Sequence, residues 1–162
     1  MERLAALRGV PGVHIALVGD GPATPAVKTA LRGMPVTWLG VLRGTELATA
    51  YAAFDLFVHT GDEETFGQTI QEAHASGLPV VAPRSGGPID LVADGIDGYL
   101  VTPGDGKELR RSIELLARDP ALRLRMGEAG RRAVLGRSWE RVCDELFAHY
   151  AAAAASTVTK VS

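Results

Sequence analysis

Short β-branched apolar runs alternate along the chain with longer stretches at helical spacing, and this alternation restricts the fold more than any other feature. Strands are expected at residues 13–18, 36–39, 55–59, 78–82 and 99–101. Helices are expected at residues 23–32, 45–53, 66–76, 89–93, 107–118, 121–135 and 139–154. The punctuation agrees with this division. Gly19-Asp20-Gly21-Pro22 closes the first strand, Gly77 marks a helix stop, Asp119-Pro120 separates two helices and Ser138 stands at an N-cap position. Strands that are apolar along their whole length need cover on both faces, so the pattern predicts an α/β fold with a parallel sheet between two helical layers. Such sheets bind ligands beyond the carboxyl ends of their strands, which places the expected site in strand-to-helix loops.

The chain has 162 residues and 46% hydrophobic content, which suits one domain over residues 1–155, with residues 156–162 as a tail lacking apolar periodicity. Its 17 basic and 19 acidic residues give a net charge of -2, without the basic excess that nucleic-acid binding requires. The single cysteine, Cys143, excludes an intrachain disulfide framework and suits the reducing cytoplasm; beside Val142 and Leu146 it reads as a core residue. No signal-peptide core opens the chain, and no apolar run approaches the ~18 residues needed to span a bilayer. Arg110-Arg111, Arg123-Arg125 and Arg131-Arg132 read as solvated helix faces, with an anionic membrane surface as the second reading. His14, His74 and His149 lack metal-ligand spacing, so no metal is expected, while His59 ends a strand facing the expected cleft. Gly19-Asp20-Gly21 lacks the third glycine of a dinucleotide fingerprint and reads as a turn.

The most informative stretch runs from His59 to Gln68, joining a strand end to a helix start. A helix N-terminus offers unpaired N–H groups and a partial positive charge, so a phosphate can be held there without a basic side chain. Gly67 would let such a ligand approach the backbone. Glu72, one to two turns into the helix, can accept two hydrogen bonds from a vicinal diol such as a ribose, and Glu64 can do the same for sugar hydroxyls. A second reading uses the same residues without a ligand. Thr65 and Gln68 form a capping box, Glu63 and Glu64 complement the helix dipole, and Glu72 is a solvated helix residue.

The string Glu64-Thr65-Phe66-Gly67-Gln68-Thr69-Ile70-Gln71-Glu72-Ala73 resembles the signature of the retaining GT-B nucleotide-sugar glycosyltransferases of the group 1 type. Further segments follow that family's pattern in order: Val18 to Pro22, Leu39-Gly40, Leu47 to Phe57, Ala75 to Ala82, Gly86-Gly87, Asp94-Gly95, Gly98 to Val101 and Pro103-Gly104-Asp105. The resemblance implies a Rossmann-like C-terminal domain that binds the sugar donor. It implies that Glu72 binds the donor ribose, that Glu64 binds the transferred sugar at the reacting centre, and that the backbone of Phe66, Gly67 and Gln68 holds the distal phosphate and sugar. Thr65 lies within the same donor loop. Gly40-Val41-Leu42-Arg43 occupies the position of base contact, which assigns Leu42 and Arg43 to the donor site. The implied reaction needs no metal or cofactor, and the leaving phosphate itself accepts the acceptor's proton.

His59-Thr60-Gly61, where most members of the family have Pro-Ser, together with Thr65, Gln68 and Asp90, resembles a subset that transfers mannose from GDP-mannose to lipid acceptors. GDP-mannose is therefore the expected donor, with a UDP-sugar as the second choice. The family's C-terminal domain opens with a strand ending in Gly-Arg and a Glu-Lys pair, and the Arg and Lys clamp the pyrophosphate. This chain is expected to begin after both, with the first strand truncated, a central place in the sheet empty and the acceptor-binding N-terminal domain absent. Lipid or glycan acceptors and peripheral association of the whole enzyme with the inner face of the membrane follow from the same resemblance. Two rival functions are a stand-alone nucleotide-sugar-binding module without turnover and a nucleotide-sugar isomerase.

Overall fold

A computed structural model describes residues 2–61, 64–136 and 139–158. The elements alternate in chain order: α1 (Glu2–Ala5), β1 (Ile15–Val18), α2 (Thr24–Ala30), β2 (Val36–Gly40), α3 (Gly44–Ala52), β3 (Phe57–Val58), α4 (Gln68–Ala75), β4 (Val80–Pro83), α5 (Pro88–Leu91), β5 (Gly98–Val101), α6 (Gly106–Arg118), α7 (Pro120–Leu135) and α8 (Trp139–Val158). Among the described residues every ladder is parallel, as the alternation predicts. The strands form two sheets, β1-β2 and β3-β4-β5, with no ladder between β1 and β3 among the described residues.

The two-residue period of the strands sorts the core into two layers. Val81 and Val101, with Tyr99, Ile15 and Val58, face a cluster built by Leu7, Leu109, Ile113, Leu116 and Met126 around α1, α6 and α7. Their neighbours Val80, Ala82, Leu100 and Phe57 face Tyr51, Ile70, Ala73 and Val92 around α3, α4 and α5. Helices therefore cover β4 on both faces, and its residues are all buried.

Arg111, Arg125 and Arg132 are exposed, as a solvated face requires, whereas one arginine of each group reaches backbone carbonyls. Arg110 donates to Ala6 O and Arg8 O beyond the end of α1, Arg123 to Leu116 O and Ala117 O at the end of α6, and Arg131 to Ala75 O at the end of α4. Arg8 does the same for α2, donating to Ala30 O and Arg32 O. Each guanidinium meets carbonyls that a helix leaves without an internal donor, at the end where its dipole favours a cation. Cys143 also departs from its core assignment: it is exposed, as are all residues 143–153 of α8, because that stretch of helix presents its apolar face to solvent. The Ser138 cap lies outside the described residues.

His74, fully buried in α4, lies 3.8 Å from Oδ1 of the buried Asp97. Burial pulls the imidazole below its ordinary 6.5, against the pull of the Asp97 carboxylate. A folded-state value below the unfolded one means that the unfolded chain takes up the proton first as pH falls. Stability is lost from about 6.5 downward. His74→Met is expected to flatten the fall of the thermal midpoint between about pH 7 and 5, a range set by the ordinary histidine value; an unchanged slope in a pH series of melts would contradict this.

Candidate donor site

The loop between β3 and α4 carries the candidate residues, and its geometry explains why α4 begins at Gln68 rather than at residue 66. Gly67 is the N-cap in a left-handed conformation, φ 65°, and no side chain caps the helix there. The Thr65–Gln68 capping box is therefore not formed. Glu64 instead braces the loop just before the helix: one carboxylate oxygen accepts from the N–H of Gly67 at 2.8 Å and of Phe66 at 3.1 Å. These two bonds, with a smaller contribution from the charge of nearby His59, hold the Glu64 carboxyl below the usual range, so it is ionised at neutral pH. Glu63, the other acidic residue assigned to the dipole, lies outside the described residues.

Gly67 is also approached by something other than a ligand. A Cβ there would stand 2.3 Å from Leu91 Cδ1 of α5. The left-handed backbone and the Leu91 contact together account for the glycine. The Gly86-Gly87 turn, after β4, packs on the same loop. Gly87 donates its N–H to Glu64 O at 2.8 Å, and a Cβ on it would lie 2.7 Å from Thr65 O. Only a backbone without a side chain fits that close, so the two loops hold one another in place. Phe66, 60% exposed, is left as an aromatic face at the mouth of the loop.

Glu72 lies one turn into α4 and is half-buried. Its carboxylate is held at both oxygens. Gln68 Nε2 donates to Oε1 at 3.2 Å, and the hydroxyl of Tyr51, on α3, donates to Oε2 at 3.2 Å. The structure thus joins Glu64, Thr65, Phe66 and Gly67 in one hydrogen-bonded loop and Gln68 with Glu72 in the first turns of the helix it opens. Leu42 and Arg43 stand before α3, with Arg43 as its extended N-cap. No hydrogen bond links them to the other candidates among the described residues. Sequence reasoning passed over Tyr51, whose place in the apolar pattern of residues 45–53 marks it as core and gives no sign of a partner twenty-one positions away. Among the described residues no group of histidine, cysteine and acidic side chains could hold a metal ion.

Over residues 1–119 the sequence matches the family described as glycosyl transferases group 1. The chain belongs to that family. It is 48% identical over 154 residues to a GDP-mannose-dependent alpha-mannosyltransferase of Mycolicibacterium smegmatis, a match covering 94% of this chain and 40% of the relative. A protein of the same name from Mycobacterium tuberculosis is 42% identical over 162 residues, covering 100% of this chain and 42% of the relative. The fold matches sucrose-phosphate synthase from Thermosynechococcus elongatus with a TM-score of 0.81 and 28% identity, over 96% of this chain and 42% of that one. It also matches Anabaena HepE in complex with UDP and glucose, with a TM-score of 0.75 and 29% identity over 91% of this chain and 42% of that one. This group 1 glycosyl transferase chain thus spans about two-fifths of the length of these relatives. The expected α/β fold with parallel strands and helices on both faces holds, and the family is the one its signature resembles. No helix is long and apolar enough to cross a membrane among the described residues.

Proposed function

We propose that this chain is the donor-binding part of a retaining glycosyltransferase that moves mannose from GDP-mannose to a lipid or glycan acceptor. The observation that carries the reading is the pair of carboxylates in one loop-helix unit, Glu64 ionised over the start of α4 and Glu72 fixed at both oxygens one turn further in. The identity to GDP-mannose-dependent mannosyltransferases supports guanosine and mannose over the other donors. In this reading Glu72 receives the ribose hydroxyls and Glu64 the hydroxyls of the transferred sugar. Thr65, Phe66, Gly67 and Gln68 line the phosphate end, where N–H groups at the helix start would favour the negative charge of the leaving diphosphate. Leu42 and Arg43 receive the base. The Phe66 and Gly67 N–H groups, held by Glu64 in the free chain, become available when that carboxylate turns to the sugar.

The acceptor is bound by a further domain of the whole enzyme, which works at the cytoplasmic face of a membrane without metal. The relatives reported above are transferases, which favours transfer over isomerisation. Calorimetric titration with GDP, UDP and ADP tests the donor assignment: GDP is expected to bind tightest. The assignment fails if none of the three binds at millimolar concentration to the chain extended to the full length of its relatives.

A further inference from the structure

Tyr51 is 6% exposed and belongs to the core cluster of α3, α4, β4 and β5. Its ring packs edge-on against Phe54, with centroids 6.3 Å apart, and at a tilt against Phe57, 5.9 Å away. Those contacts need a six-membered aromatic ring and no hydroxyl. The hydroxyl nevertheless has two acceptors on α4: Glu72 Oε2 at 3.2 Å and Thr69 O at 3.4 Å. Burial, reinforced by the neighbouring Glu72 charge, pushes the phenol above its ordinary range, so it remains a donor at every physiological pH.

We propose that Tyr51 is a positioning residue that fixes the Glu72 carboxylate for a ribose diol. The inference rests on the reading of Glu72 as the ribose ligand. A glutamate on a helix surface samples many rotamers, and ordering it on binding weakens affinity. Here the Tyr51 hydroxyl, itself immobile in the core, anchors one oxygen from below, while Gln68 reaches the other from the exposed side. An ionised carboxylate has about four acceptor positions, so two bonds to the protein leave both oxygens able to take a ribose hydroxyl. A core residue of α3 thereby sets the geometry of a ligand contact on α4, and α3 is the helix that Leu42 and Arg43 precede.

Tyr51→Phe keeps the ring and its packing and removes only the anchor. Titration of the full chain with GDP and with its 2′,3′-dideoxy analogue separates positioning from structure. The variant is expected to bind GDP about two- to tenfold more weakly, the range for releasing one ordered side chain, and to bind the dideoxy analogue as the unaltered chain does. In a Glu72→Ala background the same substitution is expected to change neither affinity. Equal weakening of both nucleotides, or loss of folding by circular dichroism, would make the hydroxyl structural and overturn the assignment. Unchanged GDP affinity in Tyr51→Phe, with the diol preference lost in Glu72→Ala, would overturn it while leaving the ribose reading intact. If the unaltered chain binds GDP and the dideoxy analogue equally, the ribose reading fails and takes the Tyr51 assignment with it.

Discussion

Glu72→Ala is expected to weaken GDP binding about ten- to a hundredfold and to erase the difference between GDP and its 2′,3′-dideoxy analogue. A hydrogen bond to a charged group contributes roughly 1.5–3 kcal/mol, and each 1.4 kcal/mol is a factor of ten in affinity. Removing the carboxylate costs the fold little by comparison. Gln68 is exposed and regains water, and the Tyr51 hydroxyl keeps Thr69 O within 3.4 Å. The expected signature is a large change in calorimetric affinity with a thermal midpoint shifted by only a few degrees, from about 1 kcal/mol of lost hydrogen bonding. A variant that keeps the diol preference would remove Glu72 from the ribose, whatever the absolute affinity.

The largest stability effect is expected at Gly127→Ala in α7. Alanine is the better helix former by about 1 kcal/mol, so helix propensity alone predicts stabilisation. Packing predicts the opposite. A Cβ at residue 127 would stand 1.9 Å from Gly77 O and 2.7 Å from its carbonyl carbon, at the turn that ends α4. The obstacle is backbone, which has no alternative rotamer, so α7 and α4 must move apart and open the layer that holds Met126 and buried His74. Overpacking of this kind costs roughly 1–3 kcal/mol or more, and we expect a net loss of about 2 kcal/mol. For a chain of this size that is a fall of roughly 4–8 °C in thermal midpoint. A midpoint equal to or above that of the unaltered chain would show that α4 and α7 are not in close contact here. Since α4 also carries Glu72, weaker GDP binding should accompany the fall.

Most of the element order is legible in the sequence because buried strands and amphipathic helices differ in period, and glycine and proline mark their ends. The misreadings have separate physical causes. Helix α4 starts later than its periodicity suggests because Gly67 adopts a left-handed conformation and Glu64 takes the N–H groups of Phe66 and Gly67 in the loop before it. An acidic residue just before a helix is compatible with general dipole stabilisation or with specific bonds to the loop backbone, and spacing does not distinguish them. Gly67 is legible as a special position, but the side chain that crowds it, Leu91, is distant in sequence. The arginine pairs look like solvated charge because a carbonyl partner leaves no trace in composition. Cys143 looks like core because its helix is amphipathic, and periodicity does not say whether an apolar face has found a partner. Glu64 and Glu72 are legible as a pair, whereas Tyr51 beneath them is visible only once α3 and α4 are brought together.

The division of the strands into two sheets implies unequal resistance to local opening. In β4 every residue is buried between two neighbouring strands, whereas β2 is exposed from Thr37 to Gly40, α2 has no buried residue, and β1 is its only ladder partner among the described residues. Amides of β1 and β2 therefore belong to a unit with a smaller opening free energy than those of β4. Leu42 and Arg43 follow the weaker unit, while Glu64 and Glu72 are carried by the stronger one. A nucleotide held at both ends would tie the two opening equilibria together, closing the first sheet in proportion to its occupancy and leaving the second almost unchanged.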